Sequence, residues 1–525
     1  MQTWFVGPWE LSAATAALPP APGAGRVLLV ESPAKGSALP YHRKKLVLVL
    51  SALRHFRDEL RAAGHEVDHR VAASYANGIV DHLAATGAAA VLHQQAAEWG
   101  IGASLRQLRD LDPRVTEIPD RRFLTSRAEF TEWAQGRTLL RMEDFYRWQR
   151  KRLGILVDAK GRPEGGEWNY DQENRKTAAA ARKHGAPARP IGFAPDAVTA
   201  KVMRLVDSMP NQWGSTEGFD LPVTQAQAEA ALEDFLEHRL TNFGPFEDAM
   251  LKGEAWLWHS RLSPAMNVGL IHPRTIVERT MAWWEAKQRH ATPETARALL
   301  ASVEGFLRQV IGWREYINGI YWLTMPGYRE HNYFGFTRPL PQGFWEPELL
   351  PMACVRDCVA TVKEHGYAHH IPRLMVLANF ANLAGVHPMR LSEWFWTGFT
   401  DAMEWVELPN VVGMATFADG GLLASKPYVS AAAYIKRMGD YCGGCRFDPE
   451  QRTGPDACPF NYLYWTFLDD IRTRKLDVGQ RMALVMKALD RITPGELAAM
   501  QAERERFLAT LEPDRTGWQF HYDQG

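Results

Sequence analysis

Cysteine is scarce in this sequence, with five copies among 525 residues. So few thiols cannot form a disulfide framework in a chain of this length, and in a reducing compartment they indicate a metal site or spare thiols. The sequence also lacks a run of eighteen apolar residues, the minimum for a typical transmembrane helix. Its first residues, Met1 to Trp4, lack the basic segment of a secretory signal. We therefore expect a cytoplasmic protein that makes no membrane contact.

An excess of charge of either sign is also missing, because 60 Lys and Arg face 61 Asp and Glu and the formal net charge is −1. The molecule as a whole would not attract nucleic acid, so DNA binding would need a local basic patch. Apolar residues make up 46% of the chain, as in globular proteins, and the length predicts two or three domains. The 19 tryptophans fit a large helical core, or alternatively an aromatic-lined cofactor site.

Residues 1–130 have the pattern of an α/β domain. Short apolar runs at 26–31 and 88–93 alternate with helical periodicity such as that of 45–56. This alternation predicts a Rossmann-like parallel sheet, whose carboxyl edge is the default ligand site.

Residues 131–225 are rich in Gly, Pro and charge, and we expect a connector on the surface. Its part 141–190 carries twelve Lys or Arg against seven Asp or Glu, which suits either a solvated face or phosphate contacts. From residue 226 to 525 β-signals are scarce, and we expect an all-α domain. The periodicity predicts helices over 224–235, 274–289, 293–310, 355–365, 371–384 and 480–509.

The cysteines have the spacing of a metal site. Cys442 and Cys445 are separated by two glycines, and Cys458 follows after a loop of thirteen positions. A fourth ligand would come from far upstream, where Cys354 and Cys358 lie one helical turn apart. Spacing alone does not choose between these two, nor between a four-cysteine zinc site and an iron–sulfur cluster.

Several stretches together give this chain a specific resemblance to the iron–sulfur bacterial cryptochromes and photolyases, also called prokaryotic (6-4) photolyases. The resemblance covers nearly the whole chain and is carried by residues 142–148, 166–174, 405–414, 417–421, 424–428, 440–442 and 457–461. It implies photolyase/cryptochrome architecture, with an FAD-binding all-α domain. It also implies a 4Fe-4S cluster held by Cys354, Cys442, Cys445 and Cys458, which leaves Cys358 spare.

The resemblance implies a flavin site in two neighbouring helical regions. The segment 259–269 is similar to the phosphate-binding segment of photolyases, although Ser-x-x-Ser-Pro is also a common helix cap. The segment 308–316 resembles a pocket-lining helix; in an ordinary helix Arg314 and Glu315 would not face each other. Glu407 would lie near flavin N5, where a carboxyl group can exchange a proton. The implied flavin-binding residues are His259, Ser260, Arg261, Leu262, Ser263, Gln309, Trp313, Arg314, Tyr316, Asp401, Glu407 and Asn410.

The resemblance further implies light-driven repair of (6-4) photoproducts in UV-damaged DNA, single- or double-stranded. The damaged base would be flipped into a pocket over the flavin. His369 and His370 match the active-site histidine pair, with His370 the better proton donor. Without the resemblance, such a histidine pair is more often the start of a helix or a buried polar group. Tyr428, Tyr434 and Met414 match residues that border the lesion.

Photoreduction of the flavin needs a path for electrons. Trp394 matches the flavin-proximal donor of the family and Trp345 a second relay. Where relatives often have Tyr, this sequence has Phe395, which has no proton to lose on oxidation. We therefore expect the relay to end differently here, with Trp396 as a possible substitute.

One departure concerns the antenna chromophore, 6,7-dimethyl-8-ribityllumazine. Relatives place an Asp in an N-terminal turn that contacts it, and this sequence has Trp9, which offers one donor and no acceptor. Glu31, at the end of its strand, still matches a second antenna contact. We expect antenna binding to be weakened or lost.

Three functions remain open on sequence. The first is a (6-4) photolyase acting as a monomer, with cyclobutane dimers as a variant substrate. The second is a cryptochrome-like blue-light photoreceptor with the same cofactors and no repair activity. The third is a DNA-binding iron–sulfur protein related to primases, which would lack the flavin segment 259–269.

Overall fold

The computed structural model describes residues 1–210 and 212–517. Its N-terminal part contains a five-stranded sheet in the order β3-β2-β1-β4-β5, and all four strand pairs are parallel. The register places Thr3 of β1 opposite both Arg26 and Val91. The central strands are buried and rich in Val and Leu, as helices on both faces of a parallel sheet require. The strands are β1 Gln2–Val6, β2 Arg26–Glu31, β3 Glu66–Val71, β4 Ala90–Gln94 and β5 Val115–Ile118.

The predicted α/β domain is thus confirmed. Helix α2 lays Leu46, Val47 and Leu53 into the core beside the sheet. The helices as far as residue 208 are α1 Pro33–Ser37, α2 Arg43–Ala62, α3 Tyr75–Thr86, α4 Trp99–Leu111, α5 Arg127–Ala134, α6 Met142–Leu153, α7 Ala178–His184 and α8 Ala197–Ser208.

The region predicted as a surface connector contributes to the core. Helix α6 buries Phe145 and Tyr146, and α8 buries Val202 and Val206. These apolar positions recur at helical spacing, and the surrounding Gly, Pro and charge obscured them. The domain limits at 130 and 225 stay predictions.

Beyond residue 225 the described chain is helical and contains no strand, which confirms the all-α prediction for this part. The α-helices are α9 Gln225–His238, α10 Leu240–Phe246, α11 Ser263–Asn267, α12 Pro273–Gln288, α13 Pro293–Leu307, α14 Glu315–Thr324, α15 Ala353–His365, α16 Asn379–Leu383, α17 Pro388–Gly398, α18 Glu404–Leu408, α19 Ala432–Met438, α20 Pro459–Arg474, α21 Ala483–Ala488 and α22 Pro494–Ala509. Three π-helical segments, Arg308–Arg314, Pro372–Ala378 and Pro409–Ala415, adjoin these helices.

Two predicted helices differ from the structure. The helix predicted over 480–509 is interrupted, because Thr493 caps α22 and Pro494 begins it. Proline lacks the N–H that would continue a preceding helix, and it suits the first turn of a new one. The helix predicted over 371–384 is π-helical in its first half. None of the described helices is both long and apolar enough to cross a membrane.

Candidate functional site

A cavity of about 1070 Å³ opens in the helical part of the molecule. All three π-helical segments contribute to its wall, through residues such as Gln309, Arg373 and Asn410. The volume lies at the upper end of the range of ligand pockets, roughly 300–1,000 Å³. The predicted site residues in the wall are His259, Ser260, Arg261, Ser263, Gln309, Trp313, Arg314, His369, His370, Asp401, Glu407, Asn410, Met414, Tyr428 and Tyr434.

The buried part of the wall is organised around Asp401. Its carboxylate accepts two hydrogen bonds from the Arg373 guanidinium, at 3.0 and 2.8 Å, and one from Ser263 Oγ at 2.7 Å. Asn267 Nδ2 donates to the Asp401 carbonyl at 2.7 Å, which ties α11 to the loop before α18. Sequence reasoning missed Arg373, because an arginine four positions after His369 carries no recognisable motif, and it did not single out Asn267 within the segment 259–269.

Glu407 lies beside this ion pair, with its Oε1 4.0 Å from Arg373 Nη1. Burial raises the pKa of Glu407 from 4.5 to about 7, the nearby Arg373 lowers it, and the Asp401 charge raises it. A carboxyl group with this pKa exchanges a proton near neutral pH, which is what proton transfer beside a flavin ring requires.

Three histidines cluster on another part of the wall. The His259 and His369 rings stack with centroids 4.3 Å apart and planes 16° apart, and His370 lies edge-on to both. Burial lowers the pKa of His259 and of His369 well below the usual range, so both rings are neutral. Among the described residues, His259 Nε2 and His369 Nδ1 have no hydrogen-bond partner. Two stacked neutral rings with unpartnered nitrogens suit polar contacts to a bound molecule.

His370 differs from its neighbours. Its side chain is 46% exposed, and its Nε2 lies 3.6 Å from Asp248 Oδ1. His370 is thus the member of the pair that a molecule entering the cavity can reach.

The segment 259–269 reaches the wall, but by a different arrangement from the one expected. Helix α11 is a single turn of five residues, so its dipole contributes little to the binding of a phosphate group. Ser263 Oγ donates to Asp401, and Ser260 Oγ accepts from the Leu262 N–H at 3.4 Å. Leu262 itself is buried away from the wall.

The segment 308–316 also departs from expectation. Arg314 Nη1 donates to Glu315 Oε1 at 3.0 Å, although neighbours in a regular helix do not face each other. The backbone changes from π- to α-helical between these residues, which alters the side-chain spacing. Tyr316 lies behind the wall, where its hydroxyl donates to the Leu140 carbonyl at 2.9 Å.

The exposed part of the wall is basic. The side chains of Arg147, Arg175, Arg437 and Arg481 are exposed, and Lys426 is partly so. Arg437 lies over the Tyr434 ring, with 5.8 Å to its centroid. This cationic rim, as we call these five residues, surrounds an opening lined by Tyr428 and Tyr434. Arg147 and Arg175 lie in the basic stretch 141–190, for which the sequence allowed phosphate contacts, whereas sequence reasoning did not find the other three. The members of the rim come from four separate segments, so only the fold brings them together.

Four of the five cysteines line a second, small cavity. Cys354 of α15 meets Cys442, Cys445 and Cys458 there, together with apolar side chains such as Phe447. Cys358 lies one turn along α15, with its Sγ 3.9 Å from the Tyr441 hydroxyl. The structure therefore separates Cys354 from Cys358, which spacing alone did not.

The predicted antenna residues are both engaged within the protein. Trp9 is buried, and its ring lies edge-on to Tyr75 with centroids 5.5 Å apart. Glu31 accepts two hydrogen bonds from Arg54, each 2.8 Å long, and one from His69 at 3.0 Å. Together these donors outweigh burial and lower the pKa of Glu31 to about 2.

The crevice at the reversal of strand order, between β1 and β4, is the usual ligand site of such a sheet. Here Gln94 donates to the Glu10 carboxyl and to the Thr15 carbonyl, which closes the crevice. Burial raises the pKa of Glu10 from 4.5 to about 8. Side chains of the protein thus occupy this region, whereas the wall around Asp401 borders an open cavity that fits a flavin.

The two predicted relay tryptophans lie behind the cavity. Trp394 is fully buried, and its Nε1 donates to the Phe344 carbonyl at 2.9 Å. Its ring contacts that of Phe395, which lines the cavity, at a centroid distance of 5.2 Å. Trp345 lies in the same hydrophobic cluster.

Known proteins resemble this chain along nearly all of its length. A family model described as deoxyribodipyrimidine photo-lyase-related protein matches residues 5–221. A (6-4) photolyase of Agrobacterium fabrum is 39% identical over 494 residues, which are 93% of this chain and 94% of the relative.

Solved structures share the fold. A bacterial class III photolyase from Agrobacterium tumefaciens matches 97% of this chain and 96% of its own, with a TM-score of 0.56 and 16% identity. A cryptochrome of Synechocystis sp. PCC6803 matches 83% of this chain and 86% of its own, with a TM-score of 0.53 and 12% identity. These structures confirm the photolyase/cryptochrome architecture. Together with the 39% identity across nearly the whole chain, they establish that it belongs to the photolyase-related family that includes the (6-4) photolyase of A. fabrum.

Proposed function

We propose that this protein repairs (6-4) photoproducts in DNA with blue light and reduced FAD. The observation that carries the proposal is a single cavity whose wall joins an acidic, buried cluster, a histidine pair and two tyrosines below a cationic rim. The cluster suits the flavin, the histidines and tyrosines suit the lesion, and the rim suits phosphates. The near-full-length similarity to a (6-4) photolyase supports the same reaction.

FAD, when bound, supplies the electron that is donated to the lesion on illumination. Asp401, Arg373 and Asn410 would hold and orient it, because they offer a fixed ion pair and an amide on adjoining segments of the wall. Glu407 would hold a proton beside the ring, because its pKa is about 7. His259, Ser260, Arg261, Ser263, Gln309, Trp313 and Arg314 would complete the site.

His370 would act as general acid on the lesion. The (6-4) product needs a proton as its hydroxyl group returns from one base to the other. The neutral, buried His369 is unsuited to donate it, whereas His370 is accessible and lies beside Asp248. Tyr428, Tyr434 and Met414 line the same cavity and would orient the damaged bases.

The DNA backbone would lie against the cationic rim. Arg147, Arg175, Lys426, Arg437 and Arg481 surround the opening through which a flipped base must pass. Of the nearby carboxylates, Asp171 is paired with Arg308 and Asp248 lies beside His370. The exposed Glu143 also lies on the wall, but the five cations of the rim outnumber it, so the rim keeps its positive character. Phosphate contacts of this kind supply affinity without reading the sequence.

We further propose a 4Fe-4S cluster bound by Cys354, Cys442, Cys445 and Cys458. Their common cavity supports this ligand set over one that includes Cys358. Among the described residues, the one trio of ligand atoms within 4.8 Å of each other consists of histidines. The cysteine sulfurs are thus more widely spaced than around a single zinc ion, where Zn–S bonds of about 2.3 Å bring them closer.

Lumazine binding would be lost in this protein, because Trp9 and the Glu10–Gln94 pair fill the region that the antenna would need. The blue light that drives repair would then be absorbed by the flavin itself. Mass spectrometry of ligands released from the purified native protein tests this, and stoichiometric lumazine would contradict it. A monomer in the cytoplasm remains our prediction.

The decisive test uses a single-stranded oligonucleotide with one (6-4) photoproduct, blue light and a reductant. Chromatography should recover intact thymines in the light and none in the dark. His370→Ala should bind the lesion and fail to repair it, while His238→Ala, on the surface of α9, should repair normally. Lesion binding without repair by the unaltered protein would instead indicate a photoreceptor.

A further inference from the structure

A third tryptophan, Trp213, lies between the two tryptophans expected to relay electrons. Its ring centroid is 6.1 Å from that of Trp394 and 5.6 Å from that of Trp345. Both contacts are edge-to-face, at 60° and 84°. Trp213 belongs to the loop after α8, in the region predicted as a connector, far from both partners in sequence.

The fold holds this ring firmly. Trp213 Nε1 donates to the Trp345 carbonyl at 3.1 Å, while the Trp213 backbone pairs with Tyr41 and Arg43 at 3.2 and 2.8 Å. Gly398, four residues after Trp394, allows the close approach, since a Cβ there would lie 3.3 Å from Trp213 Cζ3.

The hydrogen bonds of the indoles favour transfer of charge along this series. The Trp394 and Trp213 N–H groups both donate to backbone carbonyls, those of Phe344 and Trp345. A carbonyl is a poor proton acceptor, so an oxidised indole at either position keeps its proton. The positive charge is then free to move on.

We propose that Trp213 is the middle relay between Trp394 and Trp345 in the photoreduction of the flavin. This inference rests on the proposed flavin site. One electron passes from Trp394 to the light-excited flavin, one from Trp213 to oxidised Trp394, and one from Trp345 to oxidised Trp213. An external thiolate reduces Trp345 and becomes a thiyl radical, which balances the electrons.

Phe395 explains why such a relay is needed here. Trp394 has no exposed surface, so no external reductant can meet it, whereas Trp213 and Trp345 are 9% and 7% exposed. Phe395 contacts Trp394 but has no hydroxyl group to lose a proton, so it cannot end the series as tyrosine would. Trp213, in contact with Trp394 and with Trp345, links the fully buried indole to two indoles that reach the surface.

The test measures bleaching of the oxidised flavin band under blue light with dithiothreitol, per bound flavin. Trp213→Phe should lose most photoreduction, close to the loss in Trp394→Phe, and Trp213→Tyr should recover part of it. Trp283→Phe, on α12, is the matched control and should behave as the unaltered protein.

Two further measurements separate this inference from structure and from repair. Flavin content and thermal unfolding should change little in Trp213→Phe. Repair after chemical reduction of the flavin with dithionite should be normal, because that route bypasses the relay. Normal photoreduction in Trp213→Phe, with loss in Trp345→Phe, would overturn the proposal. So would a loss of photoreduction explained by lost flavin. Absence of repair with normal photoreduction in the unaltered protein would overturn only the proposed function.

Discussion

At the scale of single residues, the site depends on carboxyl groups whose neighbours decide their charge. Asp401 stays paired with Arg373 through two hydrogen bonds, whereas Glu407, beside the same guanidinium, is more distant from it and is raised in pKa by burial. One arginine thus binds Asp401 directly and leaves a second carboxyl group, Glu407, able to titrate near pH 7.

This difference predicts a pH dependence. A plot of the bound flavin's reduction potential against pH should change slope near pH 7, where Glu407 ionises. A negative charge beside the ring disfavours the addition of electrons. In Glu407→Gln the change of slope should disappear, as followed by spectroelectrochemistry between about pH 6 and pH 8.5. Glu10→Gln, which alters a buried carboxyl group outside the cavity wall, serves as control and should keep the change. An unaltered profile in Glu407→Gln would assign the proton to another group.

At the scale of elements, π-helical turns set the shape of the cavity. The segments Arg308–Arg314, Pro372–Ala378 and Pro409–Ala415 all carry wall residues. An extra residue in a helical turn shifts the side chains that follow, and such turns occur often at functional sites. The Arg314–Glu315 contact is one product of this shift.

The cysteine region is a second case, since one helix offers two thiols and only one points to the shared cavity. We expect Cys458→Ala to lose iron and acid-labile sulfide and to unfold at a lower temperature. Cys358→Ala should keep full iron content, because its thiol faces Tyr441 instead.

Metal analysis of protein purified without oxygen, with the absorbance of the cluster, measures both variants. Zinc in place of iron in the unaltered protein would reject the cluster. Full iron in Cys458→Ala would reject the ligand set.

At the scale of the whole molecule, charge is balanced overall and concentrated locally. The net charge of −1 gives no attraction to DNA, and the cationic rim restores it at the cavity opening. Binding should therefore be strongly dependent on salt despite the neutral chain.

Removing one charge from the cationic rim should change the salt dependence of DNA binding by a measurable amount. In Arg437→Gln the dependence of log affinity on log salt should become shallower by about 0.7 for single-stranded DNA. Fluorescence anisotropy with an intact and a damaged oligonucleotide measures it. Arg279→Gln, which removes an exposed arginine of α12, should leave the slope unchanged. Equal slopes in both variants would place the DNA elsewhere.

The contact between the sheet and the helical part also has a pH dependence. Glu10 is buried where Leu11 N–H donates to the Val268 carbonyl at 3.1 Å, and its pKa is raised from 4.5 to about 8. The unfolded chain ionises this group above about pH 4.5, so its stabilising effect is complete below that value. It is lost as the pH rises through about 8.

Glu10→Gln keeps a neutral group at this position. Between about pH 6 and pH 9 the free energy of unfolding should fall less in this variant than in the unaltered protein. Denaturant unfolding at each pH measures it. A parallel loss in both proteins would mean that Glu10 is ionised in the folded state.

The sequence by itself determined the alternation of strands and helices in the first 130 residues, the helical remainder and the resemblance that assigned most wall residues. These features depend on local periodicity and motifs, which are contained in neighbouring residues. It did not determine Arg373, the cationic rim, the place of Trp213 or the closed crevice at Glu10. Each of these depends on side chains from distant segments meeting in space, and only the tertiary structure decides which segments meet.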